Sequence, residues 1–478
     1  MAGCGGGNSA TTSVTPTPTS TNQAPVVASA NADQAGNFGF DFSYDATQSG
    51  TTFSDVNGDT LSYSVAYAPS ANGLTDTAGV ISGVVSANED ISVTITAADG
   101  NGGSVSDTFS ISVTIDQSSL QAVFGGRIDL EALSNYANQP VPGYIRQLNE
   151  GGNPITDAGA TLGRVLFYDT ALSITDGVSC ASCHLQARGF SDPNVVSAGV
   201  EGGVTGRHSM RLINTQFAEE TKFFWDERAA SHEIQETQPL QDHNEMGFSG
   251  QGGRPGLATL FAKLEAIEYY EELFRFVYLD PEITEEKLQF ALAQFTKSIY
   301  SFDSRFDAGR AVAGDVDPDF NNFTVDENAG KTLFLNPPNQ GGAGCRGCHR
   351  PPEFDVDPNS GHNGVVGVAN ASGSFDFTVT RSPSLRDVVD PNGGSNGPFM
   401  HDGSLQSLND VVDHYNAIQD PTGGNPNFFN GLDNRLSGPN NNLQRLNLTQ
   451  AQKDQIVAFL GTLSGSNLYT DVKYSDPF

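Results

Sequence analysis

No lysine, arginine or histidine occurs before Arg127. Basic residues are scarce throughout, 24 Lys and Arg against 56 Asp and Glu, and the resulting net charge of −32 excludes a nucleic-acid partner, because a phosphate backbone would be repelled. That charge suits a basic or locally basic redox partner, or serves solubility alone. No uninterrupted apolar run reaches about 18 residues, so no segment reads as a membrane-spanning helix. Cysteine is rare, 5 in 478 residues, and four of the five fall in two short motifs. Only Cys4 is left over, which excludes a framework of internal disulfides.

The two motifs are Cys180-Ala-Ser-Cys183-His184 and Cys345-Arg-Gly-Cys348-His349. In Cys-x-x-Cys-His the two thiols bond covalently to the vinyl groups of a haem and the histidine supplies an iron ligand, so each motif is a complete anchor and two covalently attached haem c groups are expected. The competing reading is a four-cysteine zinc site. Cys183 and Cys345 lie far further apart than the roughly 15 to 20 residues of a zinc ribbon, and a histidine directly after each pair has no use there.

Thioether attachment belongs to the bacterial periplasm or outer cell envelope, so the chain is expected to be exported. Met1-Ala2-Gly3-Cys4 resembles the tail of a lipoprotein cleavage box and runs into a Gly/Ser/Thr/Pro tether, residues 1–23. A lipid anchor at Cys4 is the only membrane attachment expected. The alternative is that Cys4 is incidental.

Residues 24–117 read as a β-sandwich. Leu61, Tyr63 and Val65 alternate with serines, Val93 and Ile95 with threonines, and Phe109, Ile111, Val113 and Ile115 with polar neighbours, which gives strands with one buried face. Asn57-Gly58-Asp59 and Asp99-Gly-Asn101-Gly-Gly103 mark turns between them. The segment resembles bacterial cadherin-like or immunoglobulin-like repeats. By that resemblance Asp55, Asn57, Asp59, Asp99 and Asn101 are candidates for a Ca²⁺ site, while plain turn chemistry accounts for the same residues. A spacer or adhesion role is expected.

Beyond Gln117 the pattern turns helical. Thr284 precedes Glu285 and Glu286, and Leu288, Leu292, Phe295 and Ile299 then recur at helical steps. Thr324 with Glu327, and Thr449 with Gln452, are capping-box signatures, the second opening what reads as the final helix. Two mainly α-helical cytochrome c-type lobes follow, 118–310 and 311–478, each wrapped around its cofactor.

From about Pro154 to Phe478 the chain resembles the bacterial diheme cytochrome c peroxidase family, in its MauG-like branch. The resemblance rests on "GRHSMRLIN", "FFWDERAA", "QETQPLQDHNEMGF", "ALAQFTKSIYSFDSRFD" and "PFMHDGSLQSLNDVVDHYN". It implies an inter-haem tryptophan at Trp225, a distal glutamine at Gln235, a proline at Pro239 and a catalytic glutamate at Glu245. Peroxide cleavage needs a base to carry a proton between the two oxygens and a polar group beside the breaking bond, which suits Glu245 and Gln235. Taken alone, Glu245 and Gln235 read as surface residues and Trp225 as a core aromatic. No histidine lies near Val200 or Glu201, where many members carry one that blocks the first iron.

For the second haem, whose first ligand is His349, the resemblance places Tyr415 where other members have a methionine ligand. A tyrosine oxygen lowers the iron's potential and a thioether raises it. Met400 and His414 remain alternatives. His401 of the "HDG" motif is expected near the haem or between the lobes. The family's inter-haem calcium would fall on backbone carbonyls at Asn396 and Pro398, yet His208 stands where its asparagine ligand should be, and a nitrogen suits a hard cation poorly. The implied activity is reduction of hydrogen peroxide with electrons from a small cytochrome or cupredoxin. The alternatives are a MauG-like oxidase acting on a side chain of a partner protein, and a diheme electron carrier.

Overall fold

A computed structural model describes residues 3, 5–7, 21–149 and 151–478. Cys4 and most of the expected tether lie outside the described residues. The chain divides into two compact units, Met1–Asp116 and Gln117–Phe478.

The first unit is all β. Its strands are β1 (Val26–Val27), β2 (Gln34–Asn37), β3 (Asp41–Asp45), β4 (Phe53–Ser54), β5 (Ser62–Ala68), β6 (Leu74–Thr77), β7 (Val80–Val84), β8 (Ile91–Ala98) and β9 (Ser104–Thr114). They form a four-stranded sheet, β2-β9-β8-β5, a three-stranded sheet, β3-β7-β6, and the pair β1-β4. Alternation puts Val93, Ile95, Phe109 and Ile111 inside, where they pack with Phe53, Leu74 and Ile81. The turn aspartates behave as turn chemistry requires: Asp55 Oδ1 accepts from the Asn57 amide (2.7 Å) and Asp99 Oδ1 from Asn101 and Gly103 (2.7 and 2.9 Å). Asp55, Asp59 and Asp99 each bring a carboxylate oxygen within 4.8 Å of the others.

The second unit repeats one device twice. Helix Glu285–Lys297 begins where Thr284 accepts from the Lys287 amide, and Leu288, Leu292, Phe295 and Ile299 are fully buried along one stripe. This helix packs on helix Asp157–Tyr168 so closely that a Cβ on Gly163 would stand 2.0 Å from the Ala291 carbonyl oxygen. Further along, helix Val325–Leu335 opens on the Thr324/Glu327 capping box and helix Gln450–Gly461 on the Thr449/Gln452 box. There a Cβ on Gly330 would meet the Gln455 carbonyl oxygen at 1.8 Å. Each helix pair brackets one Cys-x-x-Cys-His in sequence, and Phe306, Phe334, Phe354 and Phe459 fill the core beside the second.

The helix Gln450–Gly461 is not the last. A single turn, Asn467–Thr470, follows it, and residues 472–478 then return to the first helix pair. Tyr168 Oη donates to the Tyr474 carbonyl (2.6 Å), Arg164 Nε to that of Ser475 (2.7 Å), and Tyr474 Oη to that of Ser298 (2.7 Å). Tyr474 is buried by these contacts, and Phe478 packs edge-on against Phe124.

Candidate functional site

The first motif is a single helical turn, Cys180–Cys183, capped reciprocally by Ser179 and Ser182. The turn sets both thiols on one side, and neither is in a disulfide. The Phe190 carbonyl lies 3.0 Å from His184 Nδ1, so that nitrogen carries the proton and Nε2 keeps its lone pair, as a metal ligand must. Burial lowers the His184 pKa and raises that of both thiols, Cys183 to about 11.

Glu245 stands next to this motif. Burial and then the nearby Asp242 raise its pKa to about 7, against a weaker opposing pull from Arg228. Its carboxylate in turn raises the pKa of both Cys180 and Cys183, behind the larger effect of burial. The loop that carries it is folded on itself: the Pro239 carbonyl accepts from Asp242 (3.3 Å), that of Asp242 from Gly247 (2.8 Å) and that of Leu240 from Phe248 (2.9 Å). The Glu245 carbonyl accepts from Val200 (3.0 Å), so the segment without a blocking histidine packs directly on the glutamate's backbone. Gln235 sits on the short helix His232–Glu236 and faces a small cavity with Met210, Phe223 and Arg381.

The sequence reading missed two neighbours on that helix. Glu236 Oε1 accepts from Thr296 Oγ1 (2.7 Å) and lies 3.1 Å from His232 Nε2, while the His232 ring stacks on Phe223 at 4.6 Å. Glu236 also acts electrostatically on Cys180 and His184. The four-residue spacing of His232 and Glu236 was the available signal.

The second motif is built differently. A 3₁₀ turn, Cys345–Gly347, runs into a short strand, His349–Arg350, which pairs with Asp355–Val356. A cavity of about 570 Å³, well within the range of cofactor pockets, is lined by Cys345, Cys348, His349, Asn363, Met400 and Tyr415. His349 Nδ1 is buried without a hydrogen-bond partner, and burial, with Arg435 and Arg211, lowers the His349 pKa to about 4. Tyr415 comes from helix Leu408–Asn416. Burial raises its pKa, against a hydrogen bond from Asn363, and both cysteines add to the rise, so the phenol faces the attachment thiols.

Trp225, His208, Arg211 and His401 reach the same cavity from its other wall. Trp225 Nε1 donates to the His208 carbonyl (2.7 Å), and its ring lies edge-on to that of His401 at 6.2 Å. His401 Nε2 is 2.7 Å from the Gly367 carbonyl, and the His401 carbonyl accepts from the His208 amide (2.7 Å). Arg211 Nε is buried with no acceptor. Its Nη2 reaches the Ser384 carbonyl at 3.4 Å, and the unpaired Nε would be relieved by an anionic carboxylate in the cavity, such as a haem propionate.

These donors fit two haems. The zinc alternative does not fit, because among the described residues neither motif gathers three His, Cys, Asp or Glu ligand atoms within 4.8 Å. A calcium ion between the lobes is not supported either. His208 Nδ1 lies 2.9 Å from the Asn194 carbonyl and Nε2 3.3 Å from Ser191 Oγ, so its ring is already engaged. The Asn396 side-chain nitrogen donates to the Asp387 carbonyl (2.9 Å) and to Tyr469 Oη (2.8 Å), and its Oδ1 is buried and unpaired. Pro398 lines the cavity beside the second motif.

Comparison with known proteins agrees with this geometry. Residues 157–316 match the di-haem cytochrome c peroxidase family, and residues 24–114 match an Ig domain family. The methylamine utilization protein MauG of Methylorubrum extorquens is 33% identical over 273 residues, covering 55% of this chain and 70% of that protein. A cytochrome-c peroxidase, IdrP1, of Denitromonas iodatirespirans is 27% identical over 350 residues, covering 65% and 83%. The crystal structure of a MauG-like protein associated with microbial copper homeostasis superposes with a TM-score of 0.54 at 26% identity, covering 71% of this chain and 99% of that one. With an Ig-like domain ahead of a helical part that carries two haem-attachment motifs, this chain belongs to the di-haem cytochrome c peroxidase family and is an oxidoreductase of that type.

Proposed function

We propose that the protein reduces hydrogen peroxide at the haem held by Cys180, Cys183 and His184, with electrons that arrive through the haem held by Cys345, Cys348, His349 and Tyr415. The haems supply the redox chemistry when bound; the side chains supply proton transfer, orientation and insulation. The observation that carries this reading is Glu245, a half-buried carboxyl beside the first motif with its pKa pushed up to about 7. A group so placed takes a proton from peroxide and returns it to the departing oxygen at neutral pH, which a solvated glutamate does poorly. Gln235 supplies a polar contact, and Pro239 and the closed loop after it hold Glu245 in position. Trp225, with its N–H tied to the His208 backbone and its ring against His401, is the aromatic link between the two sites.

The electron donor is a small redox protein of the periplasm, a cytochrome or a cupredoxin. Export follows from covalent haem attachment, with Cys4 as the point of any lipid anchor and the Ig-like domain as a spacer. A second reading, oxidation of a side chain on a partner protein, is favoured by Tyr415, whose phenol faces the second attachment motif.

The test is steady-state oxidation of reduced cytochrome c or cupredoxin by the diheme protein with peroxide. Peroxide-dependent oxidation of either donor supports the first reading. Peroxide consumption with neither donor oxidised, but with a modified periplasmic protein found by mass spectrometry, moves the protein to the second.

A further inference from the structure

Tyr415 does not stand alone at the wall of the second cavity. Asn363 Nδ2 donates to Tyr415 Oη (3.1 Å) and also to Met400 Sδ (3.2 Å). The amide is oriented unambiguously, because Asn363 Oδ1 accepts from the Val365 backbone N–H (3.0 Å), which an amide nitrogen could not do. Its two N–H groups are therefore the ends turned toward the sulfur and the phenol. The remaining alternative ligand, His414, is engaged elsewhere, its Nε2 lying 2.9 Å from the Asn363 carbonyl.

Met400 is held in this place at some cost. Its backbone φ is +69°, a strained conformation for a non-glycine residue. Tight backbone bonds on both sides impose it, from Phe399 to the Leu405 carbonyl (2.7 Å) and from Gly403 to that of Met400 (3.1 Å). Thioether sulfur and tyrosine oxygen are both ordinary axial ligands of haem iron, with opposite effects on its potential.

We propose that Met400 is a reserve ligand for the second haem, kept beside Tyr415 by the two N–H groups of Asn363, which acts as a positioning residue. The inference rests on the reading of Tyr415 as the ligand. A charge-assisted bond from Asn363 to an ionised tyrosine oxygen is stronger than one to a neutral thioether, so the amide favours tyrosine while it keeps the sulfur within reach.

The test is spectroscopic and uses the diheme protein. Tyr415→Phe, checked by intact mass for two haems, is expected to keep the second haem low-spin, gain a thioether charge-transfer band and raise its reduction potential. Tyr415→Phe with Met400→Leu should lose that band and become high-spin. Asn363→Leu, which removes both N–H groups, should give a mixture of tyrosinate and thioether signatures. A high-spin second haem in Tyr415→Phe alone overturns the proposal, as does an Asn363→Leu protein with an unchanged spectrum and potential. A wild-type protein that already shows the thioether signature would instead sink the underlying assignment of Tyr415, a separate and distinguishable failure.

Discussion

The two Cys-x-x-Cys-His motifs share a pattern and differ in nearly everything around it. His184 is bonded through Nδ1 to the Phe190 carbonyl, which fixes the ring and makes Nε2 a better electron donor. His349 has no such partner and lies under the influence of two guanidinium groups, Arg435 and Arg211. The first motif has Glu245 and Glu236 for neighbours; the second has a phenol, a thioether and an amide, and its nearby carboxylate, Asp433, is paired with Arg435. The motif therefore says that a haem is attached and nothing about its task. On the proposed reading the task lies in the surroundings, with Glu245 as the proton carrier beside one motif and Tyr415 and Met400 as the iron ligands beside the other.

The largest expected break in this comparison is loss of one site. Cys345→Ala with Cys348→Ala should lower the intact mass by one haem, about 0.6 kDa, and leave the spectrum of the first haem in place. If both haems vanish together, the lobes are not separate attachment units.

Next in size is Glu245→Gln, which should slow the reaction of the oxidised protein with peroxide by roughly 10²–10⁴, followed by stopped-flow absorbance. The reverse asymmetry should hold for the second haem, whose resting spectrum stays unchanged. Because the base works only when ionised, the wild-type rate should climb as pH rises through about 7 and then level off. In Glu245→Gln that rise should be absent. A rate that falls over the same range would mean that the carboxyl acts in its protonated form.

The smallest effect tests what the lobes have in common. Gly163→Ala and Gly330→Ala each force a Cβ onto a neighbouring helix backbone, and each should cost about 1–3 kcal/mol of stability in chemical denaturation. A clear difference between them would show that one helix pair can part where the other cannot.

Local chemistry was the legible part of the sequence. The strand alternation around Val93 and Phe109, the caps at Thr284, Thr324 and Thr449, and both attachment motifs could be read because each is set by residues a few positions apart. Asn363 could not be read, since its partners Met400 and Tyr415 are brought to it only by the fold. The return of residues 472–478 to the first helix pair was hidden for the same reason, and with it the short turn beyond Gln450–Gly461. Glu236 was overlooked because it stands beside Gln235, which drew the attention of the resemblance.

That return has a consequence for how the protein is made. Tyr474 and Ser475 close over the Tyr168 and Arg164 side chains, synthesised 306 and 311 residues earlier, and over the Ser298 carbonyl, 176 residues earlier. Folding thus cannot proceed strictly from the front as the chain emerges, as it does in many multidomain proteins. The lobe around Cys180–His184 stays unfinished until residues 472–478 are in place. On the proposed reading, haem joined to Cys180 and Cys183 before residues 472–478 arrive would be joined in an open lobe, which those residues then close.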